Sequence, residues 1–276
     1  MNLLALKKLV LAAVIIAGSL NAAGHQREKD SLRYEILLTP GMTSEVVVEG
    51  KFINSIDATP DQLLLLSTSG QFYILGWGGI SPAGKKNKGN ICSFARTSDN
   101  LLMTIRNDEL CASNESGELI HLFTLPSTGM GISRGRFGMY IFDRNGTGPQ
   151  QAVYVITHGG KYSKLFEVPE PVYSLVEHAN TLIFTNGNTI YSFNLETREM
   201  KALVSLPDNK TIRSMTIDPI SEKIYFSTDN MVLALDGSRQ EVITDKMGGK
   251  LMFLDGLVIF NPENNYLVRI AGLDRN

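Results

Sequence analysis

Two cysteines, one tryptophan and an aromatic content of 8% in 276 residues leave several protein classes without material. Two thiols are too few for a disulfide-built scaffold or a four-cysteine zinc site. Neither sign of charge dominates: 26 Lys+Arg stand against 28 Asp+Glu, a net charge of −2. That balance gives no footprint for nucleic acid or an anionic membrane. Long hydrophobic runs are missing too, since the stretch Leu9 to Leu20 falls well short of the roughly 20 residues that a spanning helix needs. Helical periodicity is almost absent after it.

The first 23 residues place Lys7-Lys8 before the apolar run Leu9 to Gly18 and the small-residue segment Ser19-Leu20-Asn21-Ala22-Ala23. This is the order of a secretory signal peptide, so residues 1–23 are expected to be removed and residues 24–276 to form one exported domain with no transmembrane segment. The short leader suits a bacterial periplasm best, with an extracellular destination as the alternative.

The rest consists of runs of four to six apolar, β-branched and aromatic residues separated by Gly, Asn, Asp, Ser and Pro clusters, which predicts an all-β chain. The runs group in fours, as in Pro171–Glu177, Thr181–Thr185, Asn188–Asn194 and Met200–Leu206. Aligning the first run of each group gives Ile53, Ile91, Ile132, Val172, Ile212 and Leu251, a period of about forty residues. One four-stranded sheet cannot bury both faces alone but can stack between two neighbours, so six such groups predict a six-bladed β-propeller. The last group supplies only three strands. Tyr34-Glu35-Ile36-Leu37-Leu38-Thr39-Pro40 ends like the outer runs Leu122–Pro126, Leu165–Pro169 and Leu203–Pro207, so residues 33–39 are expected to complete the last blade and close the ring.

The fifth group, 212–243, carries Ile217-Asp218-Pro219, Lys223-Ile224-Tyr225-Phe226-Ser227-Thr228-Asp229 and Leu235-Asp236-Gly237-Ser238-Arg239. These residues resemble the blade consensus of the YWTD and NHL groups of six-bladed propellers. Propellers of that kind include receptor ectodomains, interaction scaffolds and calcium-dependent lactonases, so the resemblance implies a fold without choosing a function.

Chemical motifs are few. Gly131-Ile132-Ser133-Arg134-Gly135 matches the G-x-S-x-G elbow in letters, but no helix follows it, and the match reads as coincidence. His25, His121, His158 and His178 stand apart from any second zinc ligand. Asp108, Asp143, Asn145, Asn188, Asp229, Asn230, Glu263 and Asn265 fall in the loops between second and third strands, on one rim. They offer oxygen ligands for an axial calcium under a lactonase-like or sugar-binding alternative, yet they are also ordinary turn residues. Lys85-Lys86-Asn87-Lys88 reads as a solvated loop, and Asn114, Asn145 and Asn209 begin sequons. Cys92 and Cys111 fall on the first and third strands of one group, roughly 9.6 Å apart, beyond the 6.8 Å or so of a disulfide, which predicts two buried reduced thiols. The reading that results is a non-catalytic interaction or scaffold module without a cofactor, binding another envelope or secreted protein. Its candidate contact residues are Asp143, Arg144 and Asn145, in the longest loop that interrupts the repeat.

Overall fold

A computed structural model describes residues 43–46, 53–59, 62–67, 70–76, 79–87, 89–99, 101–114, 116–136, 138–146, 151–157, 160–207, 210–254, 256–263 and 266–273. Strand β1 (Thr43–Val46) comes first. The next twenty strands make five antiparallel meanders. Blade I holds β2 (Ile53–Thr59), β3 (Gln62–Ser67), β4 (Phe72–Gly76) and β5 (Gly79–Ala83). Blade II holds β6 (Ile91–Arg96), β7 (Leu102–Arg106), β8 (Glu109–Ser113) and β9 (Leu119–Thr124). Blade III holds β10 (Gly131–Arg134), β11 (Gly138–Phe142), β12 (Ala152–Thr157) and β13 (Tyr162–Glu167). Blade IV holds β14 (Ser174–His178), β15 (Thr181–Thr185), β16 (Thr189–Asn194) and β17 (Met200–Ser205). Blade V holds β18 (Ser214–Ile217), β19 (Ile224–Ser227), β20 (Val232–Asp236) and β21 (Arg239–Thr244). Blade VI orders β22 (Lys250–Phe253), β23 (Leu257–Asn261) and β24 (Tyr266–Ala271), with β1 as its outer strand.

The strand sequences explain their places. Second strands such as Gly138–Phe142 and Leu257–Asn261 are buried along their whole length, because each blade presses both faces on neighbours. Outer strands such as Leu119–Thr124 and Met200–Ser205 are mostly exposed and carry charge or hydroxyls between their apolar residues. In blades II to V the ladder to the outer strand slips at one point, between Leu110/Cys111, Val153/Tyr154, Ile190/Tyr191 and Val232/Leu233. A bulge there adds twist where the blade splays from the axis. The turn Asp236-Gly237-Ser238-Arg239 joins β20 to β21 with Gly237 at φ +58°, a left-handed conformation that favours glycine.

Apolar residues concentrate between blades. Ile53, Ile56, Leu63 and Leu65 of blade I pack with Val258, Phe260 and Leu267 of blade VI. Tyr225, Val232 and Ala234 of blade V meet Leu251, Leu257 and Ile259 of blade VI. Fully burying one such side chain contributes roughly 1.5–3 kcal/mol. Inner strands adjoin one another around the ring, β2 beside β6 and β22 among them, so the circle is closed.

The six blades begin within two residues of their expected positions. The closing strand is a correction: β1 at Thr43–Val46, not residues 33–39, pairs with β24 through Thr43↔Ala271, Ser44↔Ile270, Glu45↔Arg269 and Val46↔Val268. Residues 33–39 and the expected signal peptide at 1–23 lie outside the described residues. Among the described residues no helix is long and apolar enough to cross a membrane.

Candidate functional site

The inner strands surround an axial channel, a cavity of about 1360 Å³. Ladder partners fix one level of it. Ser55, Ser93, Gly131, Ser174, Ser214 and Lys250 pair with Leu66, Ile105, Phe142, Thr185, Ser227 and Phe260, at or next to the ends of the second strands. Four blades therefore present serine at the same height. Three of these hydroxyls accept a hydrogen bond from a main-chain N–H of the next blade: Ser93 from Ile132 at 3.2 Å, Ser174 from Met215 at 3.2 Å and Ser214 from Leu251 at 3.0 Å. A first-strand amide has no sheet partner on its axial side, so a neighbour's serine satisfies it.

The remaining three seams use longer side chains. Asp57 Oδ2 accepts from Arg96 N at 3.1 Å, and Glu177 Oε2 accepts from Arg136 N at 2.8 Å and from the Tyr140 hydroxyl at 2.9 Å. Burial, then the bond to Glu177, raises the Tyr140 pKa well above the ordinary phenol value. Lys250 Nζ donates to Ser55 Oγ at 3.1 Å and lies 5.7 Å from the centre of the Phe94 ring.

The two departures from serine bring positive charge to the axis. Gly131 has no side chain, and a methyl there would strike the Phe142 ring and sit 2.8 Å from Arg144 Cδ. The Arg144 stem thus occupies the space over Gly131 that a side chain would need, and the residue lines the channel. The guanidinium is open to solvent in the lumen yet ringed by protein, and this burial lowers its pKa. Lys250 is pulled down to about 8 by burial, with the Asp57 carboxylate resisting and the Arg144 charge reinforcing the shift. Among the described residues Arg144 donates no hydrogen bond and forms no ion pair. Arg213, on the same rim, pairs with Asp229 at 2.8 Å.

The three loop residues read from the sequence have different surroundings. Asp143 is 2% exposed. Its Oδ1 accepts from Asn145 N and Gly146 N, both at 2.9 Å, and its carbonyl accepts from Val172 N at 2.8 Å. It pins the turn at 143–146; Arg144 and Asn145 line the channel mouth.

Of the candidate calcium residues, Asn145, Asp229 and Glu263 line the channel mouth together, and several have other partners. Asn188 Nδ2 donates to the Leu206 carbonyl at 3.1 Å, Asp229 holds Arg213, and Asn230 Oδ1 accepts from Thr228 Oγ1 at 3.3 Å. Asn265 lies outside the described residues. Among the described residues no three of the histidines, cysteines, aspartates and glutamates gather to hold a metal. His178 ends strand β14, and its Nε2 lies 3.1 Å from Glu222 Oε1 across the seam between blades IV and V. His121 is an exposed residue of β9, whereas His25 and His158 lie outside the described residues. Lys85 pairs with Glu118 at 2.8 Å.

Both cysteines are free, on strands β6 and β8 with β7 between them. Cys111 is buried as expected, but Cys92 is half-buried because it faces the channel. The G-x-S-x-G letters have a packing origin. Gly131 makes room for Phe142 and Arg144, and a methyl on Gly135 would strike the Tyr140 ring and lie 2.5 Å from Glu177 Oε2. Sequence reading missed Lys250 and the serine level, although Ile53-Asn-Ser55, Ile91-Cys-Ser93, Val172-Tyr-Ser174 and Ile212-Arg-Ser214 repeat in the chain.

No family model and no curated protein matches the sequence. Solved structures match the fold. A gluconolactonase from Xanthomonas campestris superposes with a TM-score of 0.65 at 12% identity, covering 90% of this chain and 93% of that one. The extracellular domain of BT4673 from B. thetaiotaomicron gives 0.61 at 12% identity over 84% of this chain, which spans 35% of that longer one. A chain of the nidogen/laminin complex gives 0.60 at 13% identity, covering 76% of this chain and 98% of its own. At these identities the likeness shows the six-bladed propeller fold alone.

Proposed function

We propose that this chain is an exported, non-catalytic propeller that works by binding, presenting the rim of Asp143, Arg144 and Asn145 to another envelope or secreted protein. One observation carries the reading: residues 143–146, which open the loop that exceeds what a hairpin needs, are held by the buried Asp143 carboxylate through two main-chain amides. A long loop costs little to carry, but one fixed in advance loses less entropy when it is bound. The calcium-dependent alternative asks for free carboxylates on the axis; of those that line the channel, Asp57 accepts the Arg96 amide, Glu177 accepts the Arg136 amide and the Tyr140 hydroxyl, and Asp229 holds Arg213, while Arg144 and Lys250 add positive charge.

The test is cross-linking and affinity capture from the native envelope with the mature protein and a variant shortened across Arg144–Gln150. Loss of a reproducible partner by a variant with unchanged circular dichroism supports the reading, and full capture by the shortened protein removes it. A melting temperature that rises with calcium and falls with a chelator favours the metal alternative.

A further inference from the structure

We propose that the channel mouth holds an oxyanion, a carboxylate or phosphate group gripped by the Arg144 guanidinium and the Lys250 ammonium above the serine level. This goes beyond the rim reading, since a small anion is held whether or not a protein docks.

Geometry supports it first. Glycine at position 131 replaces the serine that four other blades carry at this level, and the space admits the stem of Arg144. Lysine replaces serine in blade VI, on the opposite side of the six-blade ring from blade III. Two independent departures from one repeated position each bring a cation to the same channel.

Charge supports it second. One carboxylate, Asp57, acts on Lys250, and that carboxylate already accepts the Arg96 amide at 3.1 Å. Arg213 on the same rim is neutralised by Asp229. Arg144, by contrast, has no anionic partner among the described residues, and a guanidinium presents a planar fork suited to two oxygens. Lys250 has three N–H donors and spends one on Ser55, so others remain for a ligand. The lining also carries Glu177, Asp229 and Glu263, of which Glu177 accepts the Arg136 amide and the Tyr140 hydroxyl and Asp229 holds Arg213; the Arg144 charge acts unfavourably on protonated Lys250, and an anion between the two relieves that repulsion.

Titration calorimetry and thermal melting of the purified mature protein, with inorganic phosphate and with citrate as separate probes, test the proposal. Ionic strength is matched with sodium chloride. At least one probe is expected to bind saturably at one site and to raise the melting temperature beyond the chloride control. Phosphate alone identifies a phosphate source, and citrate alone a carboxylate source. Arg144→Gln and Lys250→Met are each expected to weaken that binding at least tenfold, and Arg144 lies in a rim loop where the change leaves folding intact. No saturable binding by either probe, or binding unchanged in both variants, overturns the proposal. Because no protein partner is present, such a failure leaves the rim reading standing.

Discussion

Lys250 imposes a pH signature on stability. Its pKa in the folded chain is about 8, against 10.5 for an ordinary lysine. Below pH 8 both folded and unfolded chains hold the proton, so the penalty for burying the charge is present in full. Between 8 and 10.5 the unfolded chain holds more protons, so this residue makes stability rise with pH. The gap corresponds to on the order of 3 kcal/mol. Asp57 and Arg144 are the charges acting on it; the Cys111 thiol, its pKa raised by burial, pulls the opposite way from about pH 8.5 upward, and the buried phenols Tyr140 and Tyr162 do so only above about pH 10. In urea melts between pH 8 and 9.5 the stability of the wild type is therefore expected to change with pH more positively than that of Lys250→Met, which keeps the Cys111 contribution; equal slopes would refute the burial of this charge. Gly131→Ala tests the other departure. Its methyl meets Phe142 and Arg144, so a loss of about 1–3 kcal/mol is expected in denaturant melts, together with weakened anion binding. A neutral change would mean that the Arg144 stem does not occupy that space.

At the scale of the strand, β1 completes blade VI by pairing with β24, and its removal leaves the edge of β24 open. A chain starting at residue 48 is expected to melt several degrees below one starting at residue 41, measured by calorimetry; equal melting would count against closure through Thr43–Val46. The sequence made the need for this strand visible but not its place. The Leu-Thr-Pro ending of 37–40 imitates the Leu-Pro and Val-Pro exits at 125–126, 168–169 and 206–207. Those exits lie beyond the outer strands, where Leu125, Val168 and Leu206 donate their amides to loop carbonyls of Asp108, Gln151 and Asn188. Spacing was the better guide. Outer strands end at Ala83, Thr124, Glu167, Ser205 and Thr244, each six to nine positions before the next inner strand, and among the described residues β1 stands equally close before Ile53. A similar slip affects the repeat. Ile132 and Leu251 align by type with Ile53 and Ile91, but the ladders place them level with Met215, one residue past the serine position. Apolar residues recur at several heights of an inner strand, so apolar character alone fixes the blade and not the register. Arg144 was legible as a loop residue; its entry into the channel depends on a glycine of another strand.

For the whole ring, the cross-blade serines make stability a property of seams. Ser93→Ala, Ser174→Ala and Ser214→Ala each strand one main-chain N–H, costing about 1 kcal/mol apiece. The residues lie on different inner strands and have different amide partners, so the losses are expected to be roughly additive in the triple variant. Strongly sub-additive losses would show that one opened seam already relaxes the others. The pairing of Thr43 with Ala271 has a kinetic consequence as well. It joins the first described strand to the last, so the most expensive loop closure is left for the end of folding. Five blades can assemble from neighbouring hairpins while the sixth still shows an open edge, a state in which another copy's strand can substitute for the chain's own. Moving 43–46 to follow residue 273 by circular permutation turns that distant pairing into a hairpin. Refolding of the permuted chain is expected to be faster and less dependent on protein concentration.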